Sequence, residues 1–308
     1  MEYVGIDWAS RRAAWCALDG AGELLGEGVI AADLDGLTGL VARRGLEVSA
    51  AVEMMSGAVW VADSLRAAGW RVQVADARRA KALAPLAAKT DRIDARVLAE
   101  LCRRELVPEV WVASLDDRAL RERLLRRMHL VRLRTSAKNR IFGLLSQWGL
   151  RVSVRRLRQA DGQLLLERLV LPEVWRASIV EALAVIELLD QRIAPIEAEL
   201  APLAQADERV QLLRTIPGIG SLLALTIAAE IGEISRFPSA AKLVGYSGLA
   251  PRVHQSGESS RTGRPVEGRL AALTLGGGRS RPAGLAATEP LAPTVRRRPP
   301  PARKRQRR

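Results

Sequence analysis

The sequence predicts an α/β unit followed by a predominantly helical remainder, and three observations carry that prediction. Over the first hundred or so residues, short apolar and β-branched runs alternate with helical spacings. From about Leu115 to Leu203 the periodicity is almost wholly helical. After about Gly268 the chain turns rich in Gly, Pro, Arg and Ala and keeps no period, which predicts a disordered basic tail over 269–308.

The elements follow in order. "YVGIDWAS" (Tyr3–Ser10), "AAWCALD" and "ELLGEGVIA" read as three short strands, with "DGAG" as the first turn. "DLDGLTGLVARRG" has helical spacing and ends on Gly45, a C-cap residue. "EVSAAVEMM" reads as a buried strand, "AVWVADSLRAAG" as a helix closing on Gly69, and "WRVQVADA" as another strand. A long helical stretch then runs from about Arg78 to Arg104, interrupted at Pro85. A three-stranded meander followed by alternating helices and strands is the order of an RNase H-like domain, an inference about fold and not about function. The expected divisions are 1–112 for this domain, 113–208 for a helical or coiled-coil segment, and 209–268 for a small, mostly helical domain.

In the central segment Ile179, Leu183, Ile186, Leu189, Ile193, Ile196 and Leu200 recur at steps of three and four. Such a stripe suits a helical hairpin or coiled coil, with a kink expected at Pro195. Residues Arg118–Arg140 hold nine basic side chains among Leu, Met and Val.

Composition narrows the class. Hydrophobic residues make up 48% of the chain, as in a globular protein, and the net charge of +14 points to a polyanionic partner. Eight of those charges lie in Val295–Arg308, so the body is only moderately basic. Two cysteines and two histidines exclude the usual Cys/His zinc site and a disulfide scaffold. Neither a signal-peptide pattern nor an apolar run of about 20 residues is visible, so a soluble, cytoplasmic protein without a membrane is expected.

Four carboxylates stand out. Asp7 follows the apolar run "YVGI" and Glu53 interrupts "SAAVEMM", positions where a buried charge is costly. Asp91 and Asp94, in "AKTDRIDA", share one helical face. Taken alone, that pair is explained by Thr90 capping a helix and by acidic side chains at its positive end. Packed across neighbouring strand ends, the four could converge as oxygen ligands for paired magnesium ions in phosphoryl transfer.

"GIDWAS", "AVEMMSG", "RVQVADARRAKALA…AKTDRIDARVLAEL" and "LRTIPGIGSLLALTIAAEIG…FPSAAKLVGYSGLAPRVHQSG" together resemble the DEDD transposases of bacterial insertion sequences, the IS one-ten group with its IS eleven-eleven branch. The resemblance covers roughly residues 1–263. It implies a RuvC-like domain whose metal-binding tetrad is Asp7, Glu53, Asp91 and Asp94, holding Mg²⁺, two ions by expectation. It also implies that Ser256, in "QSG", attacks DNA to form a phosphoserine link, although Ser247, Ser259 and Ser260 lie close by and serine is an ordinary loop residue.

The expected partners are double-stranded DNA and further copies of the chain as a dimer or tetramer, and the resemblance implies a noncoding bridge RNA as well. "LRTIPGIGSLLALTIAAEIG" has the form of a helix-hairpin-helix, with Gly218 and Gly220 in a turn that presents backbone amides to phosphate. Arg126, Arg127, Arg132, Arg134, Lys138 and Arg140 are expected to bind nucleic-acid backbone, and Arg252 and Arg261 to hold the scissile phosphate. After Gly263 the sequence departs from the family pattern, and a frameshift that replaced the C-terminus is the expected cause. Two rival readings are a RuvC-like nuclease that resolves branched DNA and an inactive remnant that only binds nucleic acid.

Overall fold

The computed structural model describes residues 1–83, 90–247, 251–256 and 259–265. The chain divides into two compact units, Met1–Ser114 and Leu115–Arg308.

The first unit contains β1 (Glu2–Trp8), β2 (Arg12–Leu18), β3 (Leu24–Ala31), α1 (Leu34–Arg44), β4 (Val48–Glu53), α2 (Ala58–Ala67), β5 (Arg71–Ala75), α3 (Ala77–Leu83) and α4 (Asp91–Arg103). The sheet order is β3-β2-β1-β4-β5, with β1–β3 antiparallel and β4 and β5 parallel to β1. The predicted "DGAG" turn forms. Asp19 Oδ1 accepts from the amides of Ala21 and Glu23, both at 2.9 Å, and Gly22 takes a left-handed φ of 94°. Gly45 closes α1 in the same backbone region, φ 77°, with its N–H on the Val41 carbonyl. The helical stretch expected over Arg78–Arg104 contains α3 and α4. Residues 84–89, with Pro85 among them, lie outside the described residues.

Strand alternation separates the two faces of the sheet. Val4, Ile6 and Trp8 of β1, with Val48, Ala50 and Val52 of β4, pack with Leu37 and Leu40 of α1 and with Val61 and Leu65 of α2. On the opposite face Ala14, Cys16 and Leu18 meet Ala95 and Ala99 of α4, while Ala51 and Ala75 meet Leu98 and Cys102. Cys16 and Cys102 are free and buried, and burial raises both thiols above their ordinary range. They serve as small core residues.

The second unit contains α5 (Leu115–Ser146), α6 (Val154–Leu157), α7 (Gly162–Arg168), α8 (Glu173–Ala206), α9 (Glu208–Arg214), α10 (Ser221–Ile231), α11 (Ala240–Ser247), β6 (Pro251–Ser256) and β7 (Ser259–Pro265). The long helices α5 and α8 run antiparallel. Leu124 near the start of α5 packs with Ile196 and Leu200 near the end of α8, and Ile141 and Leu144 pack with Ile179 and Ile186. The apolar stripe read from the sequence is therefore the seam of this hairpin.

The helix α8 continues through Pro195 and Pro202. Proline removes one backbone hydrogen bond, but Ile193, Ile196 and Leu200 are buried on both sides of Pro195, and that packing holds the helix together. The stretch 251–265, read as a serine-bearing loop in a mostly helical domain, instead forms a two-stranded antiparallel ribbon. Cross-strand pairing satisfies its backbone groups without a helical period, and the β-branched Val253 and Thr262 sit opposite each other. The tail over 269–308 lies outside the described residues.

Candidate active site

One glycine sets how α4 lies on the sheet. Gly5 and Asp7 of β1 lie on the same face of the sheet, the one covered by α4. A Cβ placed on Gly5 would stand 1.9 Å from the Ala95 carbonyl oxygen and 2.4 Å from the Ala99 nitrogen, so the α4 backbone rests directly on the strand. Packing also fixes the direction of α4. Its last turn lies at the start of β1 and β4: Arg103 Nη1 donates to the Gly20 carbonyl at 3.2 Å, and Cys102 Sγ lies 3.5 Å from Ser49 Oγ. At the other end Ala95 packs with Ala14, the cross-strand partner of Asp7. The first turn of α4, with Asp91 and Asp94, is therefore at the end of the sheet where β1 and β4 finish.

Asp7 and Glu53 finish those strands. β1 and β4 pair in parallel as far as Ile6 and Val52, and the two carboxylates are the next residue on each. Both are 8% exposed and belong to the α4-covered face. Asp94 is half-buried and Asp91 exposed. Thr90 caps the helix, its Oγ1 accepting from the Ile93 amide at 3.3 Å, so the first turn also satisfies the ordinary rules of helix ends.

A cation that the sequence did not single out completes this end. Lys81 Nζ of α3 lies 3.3 Å from Glu53 Oε1 while remaining 55% exposed. The four side chains nominated from the sequence are all carboxylates, the oxygen donors that hard divalent cations such as Mg²⁺ prefer. Among the described residues no three His, Cys, Asp or Glu side chains stand close enough together to hold a metal ion as they are. The fold supplies a shared face and a shared end for Asp7 and Glu53, with the first turn of α4 at the same end.

In the second unit, Ser256 is the last residue of β6 and pairs in register with Ser259. Arg252 lies on β6, and Arg261 lies on β7 opposite His254. The "TIPGIG" turn joins α9 to α10. Gly218 adopts φ 89°, a conformation that favours glycine, and Gly220 is the N-cap of α10 and gives it no side-chain capping bond.

The basic stretch divides in two. Arg127 reaches Glu197 Oε1 at 2.7 Å through Nε and 2.5 Å through Nη2, Arg134 Nη1 reaches Asp190 Oδ1 at 2.6 Å, and Arg126 Nη2 lies 3.6 Å from Glu199 Oε2. These three pin α5 to an acidic row on α8, which a reading of α5 alone could not reveal. Arg132 and Arg140 are exposed and Lys138 half-buried.

Sequence reasoning also missed a set of residues around the C-terminus of α10. Arg121 donates to the Ala229 carbonyl through Nε at 2.8 Å and to the Glu230 carbonyl through Nη2 at 3.1 Å. Arg236 Nε donates to the Ile231 carbonyl at 3.0 Å, and Arg209 Nη1 to the Gly232 carbonyl at 2.7 Å. Four successive carbonyls are thereby satisfied by side chains, two of them by the single residue Arg121, more than a hundred positions away in the chain. No local pattern announces that.

The first unit carries the acidic strand ends and the second a serine-bearing ribbon, and known proteins match each. A transposase family model of the DEDD IS110 type matches residues 4–149, and one for the transposase IS116/IS110/IS902 family matches residues 210–272. A "Probable family 20 transposase" of Pseudomonas aeruginosa is 32% identical over 57% of this chain and 53% of its own length. The transposase for insertion sequence element IS1111A of Coxiella burnetii is 34% identical over 55% of this chain and 47% of its own. A pilin gene-inverting protein of Moraxella bovis is 49% identical over a shorter stretch, 18% of this chain and 17% of its own. The chain belongs to the IS110 family of insertion-sequence transposases. It spans about half the length of the curated relatives it matches first.

Among the described residues, no helix is long and apolar enough to cross a membrane.

Proposed function

We propose that this chain is a DNA transposase that exchanges strands at the ends of an insertion sequence through a covalent phosphoserine–DNA intermediate. The observation that carries this reading is the seating of α4 on Gly5, which brings the Asp91 and Asp94 turn to the strand ends that carry Asp7 and Glu53. The sheet order, with an antiparallel meander beside parallel strands, supports an RNase H-like, RuvC-like reading of the first unit. Similarity to a pilin gene-inverting protein supports recombination over simple hydrolysis.

The roles follow from the residues. Asp7, Glu53, Asp91 and Asp94 are the ligands for divalent cations, taken as two Mg²⁺ ions. When bound, such ions supply Lewis-acid stabilisation of the charge that develops on the phosphoryl oxygens. Ser256 Oγ forms a bond to phosphorus as the phosphorus–oxygen bond to the neighbouring nucleotide breaks. The serine proton ends on the departing oxygen, so the phosphodiester energy is kept in the new ester. Arg252 and Arg261 hold the attacked phosphate.

The α9–α10 turn acts as a helix-hairpin-helix that offers Gly218 and Gly220 amides to backbone phosphate. Arg132, Lys138 and Arg140 contribute to the positive face of α5, and Arg126, Arg127 and Arg134 add to the same field. A bridge RNA selects sites by base pairing while the protein reads backbone and shape, a division of labour seen in other guided systems. Work on two duplexes requires several copies of the chain, a dimer or tetramer.

The test uses the full chain with Mg²⁺, DNA carrying the element ends and the flanking noncoding transcript. A denaturant-stable protein–DNA adduct is expected with Ser256 and none with Ser256→Ala. Cleavage that proceeds with no adduct at any stage would instead establish the branched-DNA nuclease. Nucleic-acid binding without cleavage or joining would establish a binding remnant.

A further inference from the structure

The acidic strand ends have an aromatic neighbour that the roles above leave unused. β1 runs one residue past Asp7 to Trp8, which is 5% exposed and belongs to the core on the other face of the sheet. The chain leaves β4 at Glu53, turns through residues 54–57 and enters α2 at Ala58. Gly57 holds this turn against Trp8: it adopts φ 89°, and a Cβ built on it would stand 3.3 Å from Trp8 Nε1. Trp60, in the first turn of α2, then meets Trp8 edge-on, with ring centroids 5.8 Å apart and planes at 61°. Asp7 and Trp8 are consecutive, so the indole pair and the carboxylates stand on opposite sides of one strand end.

Trp60 remains 43% exposed although Ala58, Val61, Ala62 and Leu65 of the same helix are buried. An indole left that open forgoes much of the stabilisation that burial brings. Its orientation is nonetheless set, because the Trp8 ring it rests on is part of the close-packed core. Met55, in the turn between Glu53 and Trp60, is exposed as well. Cations occupy the same end: Lys81 lies beside Glu53, and Arg11 and Arg12, which follow the end of β1, are exposed. An open aromatic face among cations suits a partner that combines flat apolar rings with negative charge. A nucleic-acid strand has both, whereas an apolar protein surface would leave the cations unmatched.

We propose that Trp60 is a platform on which one unpaired base of the attacked DNA strand stacks, within a few nucleotides of the phosphate held at the Asp7 and Glu53 end. This rests on the transposase reading of those strand ends. A base inside a duplex is already stacked on its neighbours, so only a displaced base gains from the ring. Every base has an aromatic face, so the contact favours local opening of the strand and carries no sequence preference of its own. Trp8 is the support that fixes the ring.

The experiment uses the full chain, with Ca²⁺ in place of Mg²⁺ so that binding is read without turnover. The probe is DNA carrying an element end with a short unpaired stretch at the junction, and abasic sites are placed along that stretch one at a time. Affinity and melting temperature are measured for wild type, Trp60→Ala and Trp60→Phe. Removing the base at one position, within a few nucleotides of the cut, is expected to weaken wild-type binding about tenfold, the scale of one stacked base. Trp60→Ala should bind intact DNA about tenfold more weakly and lose nothing further at that position. Trp60→Phe keeps a ring and should recover most of the affinity. A Trp60→Ala variant that binds intact DNA like wild type, or that still loses affinity at the same abasic position, would overturn the proposal. So would a loss of affinity that tracks a loss of melting temperature, or altered sedimentation with unaltered DNA binding, which would make Trp60 a contact between copies of the chain. Cleavage with Mg²⁺ is scored separately: stacking without cleavage at any stage would remove the active-site reading and leave the base contact standing.

Discussion

Gly5 and Ala95 are in direct backbone contact, since a methyl group on Gly5 would meet the Ala95 carbonyl oxygen at 1.9 Å. That contact sets where α4 lies, and with it where Asp91 and Asp94 stand relative to Asp7. Gly5→Ala should push the helix off the strand and destabilise the first unit by roughly 2–4 kcal/mol, the range of severe overpacking. Chemical denaturation checks this, and an unchanged midpoint would remove Gly5 from the account.

Asp7→Asn keeps the shape of a nearly buried side chain and removes its charge. Strand cleavage and joining should fall at least about a hundredfold, the scale for losing a central electrostatic group. A variant with near wild-type turnover would show that Asp7 is a structural strand-end residue.

Lys81 and Glu53 form a pair with one largely exposed partner. Lys81→Ala should therefore cost less than about 1 kcal/mol of stability. Because it removes a cation that competes for Glu53, calorimetric titration should show divalent-cation affinity unchanged or tightened. Weakened binding would mean that Lys81 organises the carboxylates.

Arg134 and Arg140 are nominated by the same basic stretch and should behave differently. Arg134 is paired with Asp190 at 2.6 Å, but Arg158 also reaches Asp190 at 2.7 Å, so Arg134→Ala should lower stability by less than about 1 kcal/mol. Arg140→Ala should leave stability alone, weaken DNA binding and reduce the slope of log affinity against log salt by about one. Equal effects of both on the salt slope would show that the α8 acids do not withhold Arg134 from DNA.

Glu100 accepts two hydrogen bonds from Arg103 at 2.8 Å and one from Arg104 at 2.5 Å. The Arg103 bonds lead, burial opposes them, and with Arg104 the carboxyl is held down to about 2 from its usual 4.5. The folded state therefore binds this proton later than the unfolded chain. The stabilisation is complete above pH 4.5 and is lost as pH falls from there towards 2. Solvent screening of a partly exposed group keeps it small. Stability measured from pH 6 to 2.5 should fall less steeply for Glu100→Gln than for wild type, and parallel curves would refute the assignment.

Elements with a strong local period were legible in the sequence: the meander, α1, α2 and the stripe from Ile179 to Leu200. Their side chains declare which face is buried through spacings of two or of three and four. Gly45 and the "DGAG" turn were legible because positive φ restricts residue choice. The ribbon at 251–265 was not, since Ser, Gly and Arg carry no period and its strands exist only by pairing with each other.

The sequence by itself determined which residue types can do chemistry here, namely Asp7 and Glu53 as charges inside apolar runs, the Asp91 and Asp94 pair, and a serine in "QSG". Tertiary structure alone decided their arrangement and their neighbours. It drew α4 onto Gly5, set Lys81 beside Glu53, gave Arg126, Arg127 and Arg134 to the acidic row of α8, and closed Arg121 and Arg236 over the end of α10. The physical reason is the same each time. Residue type fixes what a group can bind, whereas contact depends on close packing between elements distant in the chain, and no local spacing encodes that.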